Sequence, residues 1–113
     1  MPDLTINATR ASVDTEDGIR HVGFAEGDED EPYVLFTQPT DGGPVRLELN
    51  DPLFAAEDAV AGLQHDDDSL TLDIAPARAP DLGFARRVLI RRVAAMSDWD
   101  AARAALARIL PPA

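Results

Sequence analysis

An alternation of apolar and polar residues runs through the first quarter of the chain and predicts β-strands. In residues 4–13, LTINATRASV, the alternation holds except for one phase slip near Thr9 and Arg10, which we interpret as a β-bulge. After the turn signal DTEDG the apolar pattern resumes at residues 19–25. Two such runs joined by an Asp-Gly turn are typical of a hairpin. The pattern therefore predicts a β-hairpin over residues 4–25.

A second hairpin is predicted over residues 33–50. The segment YVLFTQ (33–38) is almost continuously apolar, which indicates a central strand. After the turn TDGGP, the segment VRLELN (45–50) alternates cleanly. This alternation places Glu48 and Asn50 on the outward face of the sheet.

The second half of the chain mixes strands and helix. Residues 51–58 predict a short helix capped by Asp51, because proline suits its first turn. Residues 75–83 hold two prolines and a glycine and predict a loop that includes one helical turn. Three further strands are predicted, with a helix as the competing interpretation of the last: 59–64, 70–74 and 84–94.

The C-terminal segment predicts an amphipathic helix over residues 97–110. An apolar stripe recurs at helical spacing through Trp99, Ala102 and Leu106. Ser97 with Asp100 is close to a capping box, and the prolines after residue 110 end the helix. We predict an α+β fold for a single domain, residues 1–113. It is an antiparallel sheet of about six strands from hairpins, packed by this one helix.

Composition narrows the function. The chain has a net charge of −11, and all of its basic residues are arginine. Nucleic acids and anionic membranes would repel it, so we expect neither as a partner. It has no cysteine, which excludes disulfides, thiolate metal sites and a cysteine nucleophile. We see no signal peptide and no apolar run of membrane-spanning length, so we expect a cytoplasmic protein.

The acidic charge is concentrated in EGDEDEPY, residues 26–33. The calcium-loop template fails there, because the sixth residue counted from Asp28 is Tyr33 and not glycine. Three interpretations remain open: a solvated loop, a weak cation site, or a surface that meets a basic partner. A second acidic turn follows His65, and Glu48 adds an outward carboxylate. The candidate partner-binding residues are Glu26, Asp28, Glu29, Asp30, Glu31, Tyr33, Glu48, Asp66, Asp67 and Asp68.

Motifs for catalysis are missing from the sequence. We find no nucleophile elbow, phosphate loop or dinucleotide-binding fingerprint. We therefore expect no catalytic residues, no metal and no cofactor. Two histidines, His21 and His65, are the only ones that could serve acid–base chemistry.

Four segments together resemble the immunity protein ten family of bacterial polymorphic toxin systems. They are VGFAE (22–26), DEDEPYVLFTQ (28–38), RLELNDP (46–52) and ALARIL (105–110). The resemblance extends over most of the chain, from about residue 4 to 110. It implies a non-enzymatic protein that binds and neutralises a cognate protein toxin. A basic toxin would be attracted by the acidic surface.

Two other functions remain as alternatives. The chain could be a chaperone or adaptor for a secreted effector, since small acidic domains suit that role. It could also be a small enzyme with acid-based chemistry that uses Glu48, Asp51 or His21.

Overall fold

The computed structural model describes residues 3–27 and 32–112. Within these ranges the chain forms nine strands, a 3₁₀ turn at Ala79–Leu82 and one α-helix. The elements are β1 (Leu4–Ala8), β2 (Arg10–Glu16), β3 (Ile19–Ala25), β4 (Tyr33–Pro39), β5 (Arg46–Leu49), β6 (Ala55–Glu57), β7 (Val60–His65), β8 (Ser69–Ile74), β9 (Arg87–Arg92) and α1 (Trp99–Ile109). No helix in the described part of the chain is long and apolar enough to cross a lipid bilayer.

The strands form two sheets that share one hydrophobic core with the helix. The first sheet has the order β1-β9-β8-β7, and the second has the order β2-β3-β4-β5-β6. Neighbouring strands are antiparallel except for β1 and β9, which are parallel. The predicted α+β class is confirmed. The strands number nine in two sheets, against the expected six or so in one.

The extra sheet arises because the chain changes sheets twice, at Thr9 between β1 and β2 and at residues 58–59 between β6 and β7. β1 pairs with β9, whereas β2 pairs with β3. The backbone amide of Thr9 donates to the carbonyl of Ala25 over 2.9 Å. The phase slip in the sequence marks this change of sheet, so the predicted bulge is wrong. The hairpin is formed by β2 and β3 alone, over Arg10–Ala25.

The predicted second hairpin, β4 with β5, is confirmed, and β4 is the middle strand of its sheet. The short helix predicted after it is wrong. A carboxylate oxygen of Asp51 accepts the amide of Leu53 at 2.8 Å, and the amide of Phe54 donates to the carbonyl of Asp51 at 2.9 Å. These bonds make a tight turn, since a short Asp side chain competes with helical hydrogen bonding. The chain then returns as β6 against β5.

The remaining predicted strands are confirmed as β7, β8 and β9. The helix begins at Trp99, two residues later than predicted, and has Asp98 at its N-cap position without a side-chain capping bond. The predicted Ser97 cap is therefore wrong. The apolar stripe is confirmed, because Trp99, Ala102 and Leu106 are all buried. After the helix, the carbonyl of Pro111 accepts the amide of Leu63 at 2.8 Å and extends the edge of β7.

Trp99 fixes the helix to both sheets. Its indole is fully buried and meets Phe24 of β3 edge to face, with ring centroids 5.4 Å apart. The indole nitrogen donates to the carbonyl of Asp67 at 2.9 Å. The guanidinium carbon of Arg92 lies 5.9 Å from the ring centroid, within range of a cation–π attraction. One side chain thus contacts β3, β9 and the turn between β7 and β8.

We expect Trp99→Ala to lower the free energy of unfolding by about 3–5 kcal/mol, because it leaves a large cavity among three elements. Chemical denaturation measures the loss. Trp99→Phe is the matched control, since it keeps an aromatic ring while it loses the bond to Asp67 and part of the buried volume, and it should cost less. A loss under about 1 kcal/mol for the alanine variant would contradict this account of how the helix docks.

Candidate functional site

The acidic stretch 26–33 is described only at its two ends. Asp28, Glu29, Asp30 and Glu31 lie outside the described residues. Glu26 holds the base of the stretch, because its amide donates to the carbonyl of Pro32 at 3.1 Å. Its carboxylate accepts the amide of Asn7 at 3.0 Å, and its carbonyl accepts the hydroxyl of Thr9 at 2.9 Å. Glu26 therefore ties the stretch to β1 of the other sheet.

Tyr33 and Glu48 are brought together on the outward face of the five-stranded sheet. The phenol of Tyr33 donates to one oxygen of the Glu48 carboxylate. The other oxygen accepts the guanidinium of Arg46 at 2.9 Å. Glu48 is only 8% exposed, so its predicted place among the solvated outward carboxylates needs correction. The Glu48 side chain does lie on the outward face, as its position in the alternation predicts, but Tyr33 bonds one of its oxygens and Arg46 bonds the other.

This arrangement makes the three side chains a rigid polar cluster. Burial of the phenol, together with its hydrogen bond to Glu48, raises the pKa of Tyr33 to about 12. A phenol with that pKa stays protonated at neutral pH and acts as a hydrogen-bond donor. Tyr33 also lines a groove of about 220 Å³ together with Gly23 and Leu35. A Cβ atom on Gly23 would lie 3.1 Å from the hydroxyl of Ser12, so a larger residue would crowd that groove.

The second acidic turn is organised by its own backbone. A carboxylate oxygen of Asp66 accepts the amides of Asp68 and Ser69, each at 2.8 Å. The bond from the Asp68 amide is the main cause that lowers the pKa of Asp66. Asp68 forms an ion pair with Arg92, and Asp67 contributes its carbonyl to Trp99. Among the described residues, no hydrogen bond or ion pair joins this turn to Glu26, Tyr33 or Glu48.

Sequence reasoning missed a cleft that is linked to Tyr33 through Asn50. We call it the apolar cleft after the exposed phenylalanine rings in its lining, although polar atoms make up about half of its surface. The cleft has a volume of about 520 Å³. It is lined by Asp3, Leu4, Leu49, Asn50, Phe54, Leu82, Gly83, Phe84 and Ala85. Asn50 links it to the acidic stretch, because its side-chain oxygen accepts the amide of Tyr33 at 2.8 Å and its amide donates to the carbonyl of Tyr33 at 3.0 Å.

Large apolar side chains stand exposed at this cleft. Phe84 is 73% exposed, Phe54 is 45% exposed, and the neighbouring Leu53 is 87% exposed. One sequence signal could have indicated these exposed residues: all three lie in connecting segments that contain proline or glycine. Apolar side chains in such connectors do not follow either strand or helix periodicity, so periodicity could not assign them to a core.

The backbone of the cleft is also strained. Phe84 has φ of 65° and Asn50 has φ of 63°. Asparagine tolerates the left-handed region, but a bulky residue such as phenylalanine is a genuine outlier there. Strained residues of this kind cluster at functional sites.

The residues of the alternative enzyme hypothesis do not form one constellation. His21 lies on β3 and Glu48 on β5, with β4 between them, a separation of about 10 Å across two strand spacings. Asp51 is engaged with the amide of Leu53. Within residues 3–27 and 32–112, no three His, Asp or Glu side chains are grouped so that they could hold a metal ion.

Phe84→Gly should raise the free energy of unfolding by about 0.5–1 kcal/mol. The change relieves the left-handed strain, which exceeds the extra chain entropy of glycine. The exposed ring contributes little burial that could be lost. Denaturant titration tests this, with Phe84→Ala as the control that keeps the strain. If the glycine variant is less stable than the parent by more than about 1 kcal/mol, the ring supports the fold and the strain account fails.

The chain has a single tyrosine, so a spectrophotometric titration of tyrosinate reports Tyr33 alone. We expect a pKa of about 12, against an ordinary value of 10.0. Glu48→Gln should lower that pKa, because it removes the negative charge beside the phenol. Since the folded pKa is the higher one, the stability that Tyr33 provides is present below about pH 10 and is lost as the pH rises through the folded value. An ordinary pKa in the folded parent would contradict the Tyr33–Glu48 bond.

No protein-family model matches the chain, and searches of the curated proteins and of the solved structures likewise return no match. The resemblance to the immunity protein ten family therefore stays a prediction. The function has to be argued from the residues of this chain.

Proposed function

We propose that this chain is an immunity-type protein: a non-catalytic inhibitor that binds a basic protein toxin through an acidic surface. The acidic stretch 26–33 is the centre of that surface in this proposal. The neighbouring Tyr33–Glu48 cluster gives it a rigid border.

The observation that supports the proposal most is the uncompensated negative charge. The net charge is −11, and four ion pairs join arginines to carboxylates: Arg46–Glu48, Arg87–Asp73, Arg92–Asp68 and Arg103–Asp100. Most carboxylates in the described part of the chain have no arginine partner there. A field of one sign accelerates the encounter with a partner of opposite charge and repels partners of like charge.

Carboxylates that are hydrogen-bonded within the chain also suit this function. Backbone amides of Arg86 and Arg87 lower the pKa of Asp3, as the amide of Asp68 does for Asp66. Such groups keep their negative charge well below neutral pH. Their bonds also hold them in place before a partner arrives, which reduces the entropy lost on binding.

Affinity capture from the source organism at low salt, with this chain as bait, should yield a basic protein that is lost at high salt. Expressed alone in a bacterial host, that protein should stop growth, and co-expression of this chain should restore it. Capture of no partner at either salt concentration would contradict the proposal. A captured protein that is secreted and harmless would favour the chaperone or adaptor alternative.

A matched pair of charge variants tests which acids matter. The first variant changes Asp28, Glu29, Asp30 and Glu31 to their amides and should slow association with the captured partner about tenfold. The second changes the same number of acids at the opposite end of the five-stranded sheet: Asp14, Glu16, Asp17 and Asp41. It should slow association less. Equal effects would show that total charge matters and that the acidic stretch is only a solvated loop.

A further inference from the structure

We propose that the apolar cleft receives an apolar side chain of a basic protein partner, and that carboxylates around the cleft contact cationic residues flanking that side chain. The proposal rests on the proposed function, since the partner is the same. It adds a specific anchor point next to the acidic stretch.

The exposed phenylalanine rings at the cleft are the first argument. Phe54 and Phe84 contribute exposed rings, and Leu53 stands beside them. Gly83 lies beside Phe54 in the lining, and a Cβ on Gly83 would make an ordinary contact with the Phe54 ring at 4.0 Å. Exposed apolar groups that gather at one cleft mark interaction sites, and hot spots are apolar anchors that fill such pockets.

The strained backbone is the second argument. Phe84 stays in the left-handed region although its ring is largely exposed and gains little from burial. A phenylalanine held at a cost to folding, with its ring facing solvent, is expected where the ring serves binding.

Charge selects the partner. Asp3 lines the cleft, Asp51 follows Asn50, and Asp81 precedes Leu82. The two hydrogen bonds between Asn50 and Tyr33 link the cleft to the described C-terminal end of the acidic stretch. Two basic residues, Arg86 and Arg87, follow the lining segment, and the guanidinium of Arg87 forms an ion pair with Asp73. A second copy of this chain would bring another net charge of −11 to the same place, and this repulsion disfavours self-association.

Two synthetic peptides test the proposal: Arg-Arg-Leu-Arg-Arg and Arg-Arg-Ser-Arg-Arg. Each is titrated into isotope-labelled full chain at low salt and followed by amide chemical shifts. The leucine peptide should bind about tenfold more tightly than the serine peptide, which corresponds to burial of most of one leucine side chain. Its largest shifts should fall at Leu4, Phe54 and Phe84.

Phe84→Gly should remove most of the difference between the two peptides. Val93→Ser is the matched control, because Val93 is 49% exposed and follows the far end of β9 from the cleft. It should leave the difference unchanged. The glycine variant is expected to fold at least as well as the parent, so a lost preference cannot be attributed to unfolding.

Several outcomes would overturn the proposed role of the cleft. They would not by themselves overturn the proposal that the chain inhibits a basic toxin. Equal, salt-sensitive binding of both peptides would mean that the acidic surface attracts basic chains but the cleft takes no side chain. If neither peptide binds but a basic toxin is still captured, the proposed role of the cleft is rejected and the proposed inhibitor function is kept. Dimerisation in analytical ultracentrifugation that Phe84→Gly abolishes would make the cleft a contact between copies of this chain.

Discussion

The contact of the Trp99 indole with Phe24, Arg92 and the carbonyl of Asp67 is the interaction on which the architecture depends. The chain crosses between the two sheets at Thr9 and again at residues 58–59. Trp99 of the helix adds a contact to each sheet. Because Trp99 is the first residue of that helix, burial of its indole fixes where the helix starts. The end of the helix places Pro111 at the edge of β7, where its carbonyl accepts the amide of Leu63.

The acidic residues have two roles in this structure. Glu26, Glu48 and Asp66 complete hydrogen bonds that the backbone or a neighbouring side chain requires. All three still count toward the net charge of −11.

Periodicity was sufficient to predict most strands and the helix, because it reports which face of an element is buried. It could not reveal that β1 pairs with β9, since parallel pairing between distant segments leaves no local mark in the sequence. For the same reason the phase slip at Thr9 was taken for a bulge. Parity placed Glu48 outward correctly, yet it says nothing about which side chains cover that face, here Tyr33 and Arg46.

The candidate site was predictable only in part. Charge density located the acidic stretch, but the apolar cleft depends on the fold bringing residues near 3, 50 and 84 together. Its most unusual feature, the left-handed Phe84, follows a left-handed glycine at the end of the 3₁₀ turn. No propensity argument places a phenylalanine in that conformation.

Hydrogen exchange of the chain with and without its captured partner tests the central claim most directly. The account predicts added protection at the segments around Asn50–Phe54 and Gly83–Ala85, together with the acidic stretch. The turn at Asp66–Asp68 should change little, because it lies at the Arg92 end of β9 whereas Asp3 of the cleft bonds the amide at the Arg87 end. Protection centred on that turn, with none at the cleft or the acidic stretch, would contradict the account.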